Sequence, residues 1–184
     1  MSNMFIAADP GVCIGCETCM AACFAKHDAT GDGSYPRLRL TLTRMVSAPV
    51  ACHQCMDAPC AHACPVGALE VDDANHRVSI HQERCIGCRN CMLACPFGAI
   101  DIETQASPVS FGNMVIGMRE KPVVVKCDLC LDRPGGPACV EACPTKGLML
   151  VDQDTIDGTV KNRRLEAAEG SAVFSRFSLN ASLA

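Results

Sequence analysis

The residues most able to do chemistry in this sequence are its 16 cysteines, which fall into four groups of four. The groups are Cys13, Cys16, Cys19 and Cys23; Cys52, Cys55, Cys60 and Cys64; Cys85, Cys88, Cys91 and Cys95; and Cys127, Cys130, Cys139 and Cys143. Two groups have the spacing C-x2-C-x2-C-x3-C, and the other two widen only the middle gap. Such spacing is typical of cubane iron–sulfur clusters, in which the fourth cysteine often ligates the neighbouring cluster.

Other residues repeat together with the cysteines. Alanine precedes the fourth cysteine of every group, at Ala22, Ala63, Ala94 and Ala142. Proline follows that cysteine in three groups, at Pro65, Pro96 and Pro144, whereas Phe24 follows it in the first group. Repetition of this kind indicates a duplicated structural unit.

Disulfides and zinc are the two other uses of clustered cysteines. Disulfides need an oxidising compartment, and residues 1–9 lack the basic and apolar regions of a secretion signal. No stretch approaches the roughly 18 apolar residues of a spanning helix. We therefore expect a cytoplasmic protein with reduced thiols. A zinc-binding interaction module would usually have a wider gap between cysteine pairs, and it would be colourless.

The net charge and the motifs argue against two classes of function, nucleic-acid binding and catalysis. The formal net charge of −4 argues against a nucleic-acid binder, which usually has an excess of basic residues. The sequence contains no phosphate-binding glycine loop, nucleophile elbow or recognisable acid–base pair. We therefore expect no catalytic residues, and metal ligation by the sixteen cysteines is the only chemistry that the motifs indicate.

The local pattern around each group predicts short strands and single helical turns. A helical turn should lead to each fourth cysteine, and Pro96 should end the third of these turns. Strands are predicted at residues 37–44, 78–80 and 99–103. In the first of them, period-two alternation would point Leu38, Leu40 and Leu42 inward. With one Tyr and no Trp, the chain has few large side chains to form an ordinary core.

Linker lengths suggest which groups pair. Twenty residues separate Cys64 from Cys85, whereas 28 separate Cys23 from Cys52 and 31 separate Cys95 from Cys127. The middle groups would then form a compact ferredoxin-like module inserted into a second module made by groups one and four. The predicted fold is α+β with long loops, and the predicted domains are residues 1–48 with 122–152, residues 49–121, and a tail at 153–184.

This nested arrangement assigns four ligand sets. Cluster A is held by Cys13, Cys16, Cys19 and Cys143; cluster B by Cys127, Cys130, Cys139 and Cys23; cluster C by Cys52, Cys55, Cys60 and Cys95; and cluster D by Cys85, Cys88, Cys91 and Cys64.

Over residues 6–152 the chain resembles the four-cluster, ferredoxin-like electron-transfer subunits of bacterial redox complexes. The motifs are residues 7–9 before Cys13-Ile14-Gly15-Cys16, Pro36-Arg37-Leu38, Asp57-Ala58-Pro59 before Cys60, Lys126-Cys127-Asp128-Leu129-Cys130, and Gly136-Pro137-Ala138-Cys139 leading to Cys143-Pro144-Thr145. Similar subunits serve formate hydrogenlyases, formate dehydrogenases, hydrogen-dependent carbon dioxide reductases and tungsten aldehyde oxidoreductases.

The resemblance implies a non-catalytic subunit with four [4Fe–4S] clusters and the same nested ligation. Its partner would be a molybdenum or tungsten oxidoreductase, or a hydrogenase, and some relatives stack into filaments of their own copies. A free, diffusing polyferredoxin is the alternative. The resemblance does not extend to the tail, where residues 155–169 are predicted to form a surface helix with Ile156, Val160 and Leu165 inward.

The sequence leaves two possible roles for a few residues near the cysteines. His53 and His62 could hydrogen-bond cluster sulfur or lie in polar loops, and His27, His76 and His81 are expected at the surface. Lys126 would either raise the potential of a nearby cluster or be an ordinary solvated charge.

Overall fold

The computed structural model describes residues 3–29 and 35–181, and it describes the side chains of the last helix as far as residue 171. The strands in this part of the chain are β1 Met4–Ala8, β2 Arg39–Leu42, β3 Ser47–Val50, β4 Leu69–Asp72, β5 Arg77–Ile80, β6 Ile100–Phe111, β7 Met114–Lys126 and β8 Leu148–Asp152. The α-helices are α1 Thr18–Ala29, α2 Pro59–His62, α3 Asn90–Ala94, α4 Ala138–Ala142 and α5 Gln153–Ala181. The fold is small and contains both α-helices and β-strands.

Each of the first four helices contains at least one cysteine, and a nearby proline limits the length of three of them. Helices α2, α3 and α4 are four or five residues long and end just before a Cys-Pro pair. Proline cannot donate the hydrogen bond that would continue a helix. In the first group Phe24 takes the place of proline, and α1 continues through Cys23 to Ala29.

Each C-x2-C loop turns through a residue with a left-handed backbone. These residues are Gly15, Gln54, Gly87 and Leu129, with φ of 69°, 48°, 73° and 64°. Each stands immediately before the second cysteine of its group. The duplication is therefore complete at the level of the backbone, although only two groups have the glycine that this conformation favours.

Four two-stranded antiparallel sheets hold the cysteine loops in place. Strand β1 pairs with β8, from Met4 opposite Asp152 to Ala8 opposite Leu148, and α1 packs against α4. This pairing brings group one to group four. Strands β4 and β5 form a hairpin between groups two and three, where α2 packs against α3.

Two clusters of buried side chains form the core. One contains Ile6, Leu38 and Leu148 together with cysteines of groups one and four, and it also includes Cys52. The other contains Leu69, Ile100 and Val124 together with Cys60 and Cys91. Cysteines and aliphatic side chains thus occupy the positions that aromatic residues fill in most domains.

Long loops were predicted between the cysteine groups, and the linker between groups three and four departs most from this prediction. It forms the hairpin of β6 and β7, which pair from Ile100–Lys126 to Phe111–Met114. The predicted strand at residues 99–103 is only the beginning of β6. The pair Gly112-Asn113 between two apolar runs is a turn signal that could have identified this hairpin.

Two smaller predictions need correction. The strand predicted at 37–44 is shorter, and Leu42 is 66% exposed rather than inward, because β2 and β3 extend past the core toward their turn. A helix does follow β8, but it is longer than predicted and Leu165 is 53% exposed. Helix α5 contacts β8. Among the described residues, no helix is both long and apolar enough to cross a membrane.

We predict that Gly87→Ala destabilises the protein more than Gly98→Ala. Both glycines have positive φ, so each alanine would cost about 1–2 kcal/mol, or about 2–4 °C in melting temperature per kcal/mol. Only at Gly87 would the new Cβ also lie 3.0 Å from Pro122 Cβ, whereas nothing lies within 4 Å at Gly98. Melting curves of the two anaerobic, iron-loaded variants test this, and equal melting temperatures would contradict it.

Candidate metal centres

Two surface cavities are each lined by four cysteines that come from two different groups. The first cavity is lined by Cys13, Cys16, Cys19 and Cys143. The second is lined by Cys64, Cys85, Cys88 and Cys91. In both, the first three cysteines of one group share the cavity with the last cysteine of another group. These are the cysteines of sets A and D, whose role as cluster ligands stays a prediction.

Most of the remaining cysteines are buried, and cysteines of different groups again lie near one another. Burial, together with smaller contributions from the neighbouring Cys52 and Cys95, raises the pKa of Cys60 to about 11. Burial likewise raises the pKa of Cys139 to about 12, with added repulsion from Cys23 and Cys130. Cys95 and Cys23 are the last cysteines of groups three and one. These cysteines belong to sets C and B, whose role as cluster ligands stays a prediction.

Backbone N–H groups point at the sulfur of the fourth cysteines. The amide of Ala68 donates to Cys64 Sγ at 3.1 Å, and that of Ala99 donates to Cys95 Sγ at 3.4 Å. In the first group, which lacks the Cys-Pro turn, the distant amide of Arg37 donates to Cys23 Sγ at 3.2 Å. Such donors stabilise sulfur anions and influence the reduction potential of a bound cluster.

The same donors explain which thiols ionise easily. Burial alone would raise the pKa of Cys64, but the backbone N–H groups that follow it outweigh burial and lower its pKa. The same opposition lowers the pKa of Cys143, where the Thr145 hydroxyl and later amides contribute. By contrast, burial raises the pKa of Cys127 far above its ordinary value. A metal that binds the interior thiols must therefore displace their protons, and its positive charge would then compensate the thiolate charges.

The chemistry of these donors fits iron–sulfur clusters. Two cavities each offer four sulfur atoms, and the Sγ atoms of Cys23, Cys64 and Cys95 accept backbone N–H bonds. All sixteen cysteines, every one of them within the described residues, are free of disulfides. The cysteines differ in solvent exposure: Cys16 and Cys88 are exposed, whereas Cys52, Cys127 and Cys139 are buried.

Several polar residues near the cysteines are placed differently from expectation. His27, expected at the surface, is only 1% exposed. Its Nε2 lies 3.7 Å from Asp128 Oδ1, close to Cys130. The helix that carries it continues past Cys23, which brings the ring to the loop of the fourth cysteine group.

His53 is neither exposed nor bonded to sulfur. Its ring stacks between Phe5, at a centroid distance of 4.7 Å, and Phe97, at 3.8 Å. Burial lowers its pKa. His62 is exposed, but it is the last residue of α2 and does not lie in a loop. No sequence signal marks the stacking of His53, because both phenylalanines are distant in the chain.

Lys126 is fully buried, so the reading as a solvated surface charge is wrong. Its Nζ donates to Gln54 Oε1 at 3.0 Å, to the Val78 carbonyl at 2.9 Å and to the Cys127 carbonyl at 3.0 Å. Gln54, itself 1% exposed, connects the second cysteine loop to the fourth by donating to the Cys127 carbonyl at 2.8 Å.

Known proteins resemble this chain over most of its length. A family model described as a 4Fe-4S dicluster domain matches residues 43–153, and one described as a 4Fe-4S binding domain matches residues 10–24. Formate hydrogenlyase subunit 2 of Escherichia coli (strain K12) is 43% identical over 184 residues, covering 88% of each chain.

Two further relatives come from the same organism. Electron transport protein HydN is 38% identical over 173 residues, covering 90% of this chain and 98% of HydN. Hydrogenase-4 component A is 38% identical over 189 residues, covering 90% and 91% of the two chains. With its cysteine neighbourhoods, family match and relatives taken together, the chain belongs to the 4Fe-4S dicluster family and is a non-catalytic iron–sulfur electron-transfer subunit.

Proposed function

We propose that the chain carries four [4Fe–4S] clusters and relays single electrons between a catalytic oxidoreductase subunit and a second redox partner. The observation that carries this proposal is that, in two cavities, three thiols of one group and the last thiol of another line the same space. The proposed ligands of clusters A, B, C and D are those assigned from the linker lengths, and the nested domain division follows from them.

The four sets suggest a path through the protein. Sets A and D each contain an exposed thiol, at Cys16 and Cys88, whereas sets B and C contain mostly buried ones. Cys19 of set A lies close enough to Cys139 of set B to raise its pKa further, after burial itself. Electrons would therefore enter at one surface site, cross the two interior sites and leave at the other.

The bound clusters would supply a reversible one-electron change at each site. The residues of the chain do the rest. They fix the sulfur positions through left-handed loops, donate N–H groups to sulfur, and bury the interior sites among aliphatic side chains. Low polarity and fixed donors keep the reorganisation around each site small.

Exposed apolar surface favours a bound subunit over a free polyferredoxin. Ile14 and Ile86 lie within the loops of the two surface sites and are 66% and 61% exposed. The end of the β6–β7 hairpin, residues 106–118, has no charged side chain. It exposes Phe111 and Met118, and patches of this kind usually mark protein contacts.

The names of the relatives indicate what the partner could be. A formate hydrogenlyase subunit and a hydrogenase component both belong by name to larger enzymes. By analogy, the catalytic partner here would be a hydrogenase or a molybdenum or tungsten oxidoreductase, and the reducing conditions that keep thiols free would be cytoplasmic. Filaments of this chain belong to the proposal too, since both surface sites have apolar surroundings.

We predict that the native complex, purified anaerobically through this chain, contains about four iron atoms for every four cysteines. Elemental analysis measures this directly. Nickel, molybdenum or tungsten in the same sample would identify the class of catalytic partner. Zinc in place of iron would contradict the proposed function, and a sample with no second metal and no second subunit would favour the free polyferredoxin.

We predict that Cys16→Ala combined with Cys143→Ala removes no more iron than either change alone. In the nested assignment these two cysteines hold the same cluster, so the double variant loses about four iron atoms. Iron analysis and electron paramagnetic resonance spectra of the reduced variants test this expectation.

The matched control combines Cys16→Ala with Cys23→Ala, which belong to one group but to different proposed clusters. This pair should lose about eight iron atoms, the content of two clusters. If each group instead held its own cluster, the two double variants would exchange their behaviour. That result would overturn the nested assignment and leave electron transfer intact as a function.

A further inference from the structure

The ammonium group of Lys126 lies inside the protein, and no acidic residue of the described chain pairs with it. Its side chain is fully buried, and three acceptors lie within 3.0 Å of Nζ. An ammonium has three N–H donors and no acceptor, so the three acceptors account for the charged form completely. Two acceptors are backbone carbonyls and one is the amide oxygen of Gln54. Within the described chain, every partner of this cation is therefore neutral.

Burial of a cation among neutral groups is unfavourable. Hydrogen bonds to carbonyl oxygens replace the first shell of water, but they do not replace the long-range solvation that a charge has in water. A negative charge close to Nζ would make up this loss. Since no carboxylate supplies it in the described chain, the thiolate sites nearby are the candidates.

The position of Lys126 supports this assignment. Its Nζ lies 3.0 Å from the Cys127 carbonyl and 3.0 Å from Gln54 Oε1, and the backbone N–H of Gln54 donates to Cys52 Sγ. Cys127 belongs to proposed cluster B and Cys52 to proposed cluster C. Lys126 therefore lies within electrostatic reach of both interior sites, where the two modules meet.

Gln54 makes this junction rigid. Its amide oxygen accepts from Lys126 Nζ and from the Val78 N–H, and its amide nitrogen donates to the Cys127 carbonyl. Its backbone N–H also donates to Cys52 Sγ at 3.4 Å. One neutral side chain thus positions the cation and connects both interior cysteine loops.

We propose that Lys126 is the shared buried counter-ion of the two interior thiolate sites and raises the reduction potentials of the clusters bound there. The inference rests on the proposed function, because it requires clusters at sets B and C. A fixed positive charge favours the reduced state, which carries one more negative charge. Gln54 is the positioning residue, and its neutrality leaves the charge of Lys126 available to the clusters.

The test is a redox titration of the anaerobically purified, iron-loaded full chain, monitored by electron paramagnetic resonance. Lys126→Met keeps the length of the side chain and removes its charge. We expect two of the four reduction potentials to fall and the other two to stay near the wild-type values. Unchanged potentials, or an equal fall in all four, would overturn the proposal.

Lys146→Met is the matched control, because Lys146 is exposed and lies three residues after Cys143. It removes the same charge from the surface. A charge in the protein interior acts about fourfold more strongly than one in water at equal distance. The shift caused by Lys146→Met should accordingly be much smaller than that of Lys126→Met, and the reverse order would contradict the assignment.

Gln54→Glu keeps Lys126 and gives it a carboxylate partner of the same shape. The new ion pair should cancel most of the charge that reaches the clusters, so the same two potentials should fall. This variant decides the question if Lys126→Met loses iron. Normal potentials in Gln54→Glu would overturn the counter-ion role, whereas zinc-filled wild-type protein would overturn the proposed function itself.

Discussion

The convergence of thiolates is the constraint on which this fold depends. Sulfur anions repel one another and lose solvation when they are buried, as the raised pKa values of Cys60 and Cys139 show. The chain opposes this cost with backbone N–H groups, with loops in the left-handed conformation and with a buried ammonium. Because the two cores contain cysteine and aliphatic side chains, the proposed ligand sites overlap the hydrophobic core. Binding of metal at these sites would therefore be coupled to folding.

The sequence predicts the parts of this fold that depend on neighbouring residues. Helix α3 ends just before Cys95-Pro96 as predicted, and Phe24 explains why α1 continues. The iron–sulfur family also follows from cysteine spacing alone. The left-handed conformation at Gln54 and Leu129 was not predictable, because neither residue type favours it. Those loops follow the shape of the duplicated unit and not their own local preference.

Contacts between distant segments account for what the sequence could not predict. Lysine is almost never fully buried, and the burial of Lys126 depends on β5 and on a loop more than 70 residues earlier in the chain. The neighbours of the buried His27 ring, Asp128 and Cys130, lie about 100 residues later in the chain. The hairpin of β6 and β7 is a different case, since its turn signal at Gly112-Asn113 was present and its apolar flanks alternate weakly.

The pairing of β1 with β8 also sets the order in which a newly made chain can reach its final form. During synthesis the N-terminal strand leaves the ribosome first, but its partner β8 follows nearly the whole of the described chain. Contacts between such distant segments form slowly, because closing a long loop costs entropy before any contact is gained. The hairpin of β4 and β5 has no such delay. The thiols that emerge earliest, those of the first group, therefore wait longest for their structural neighbours.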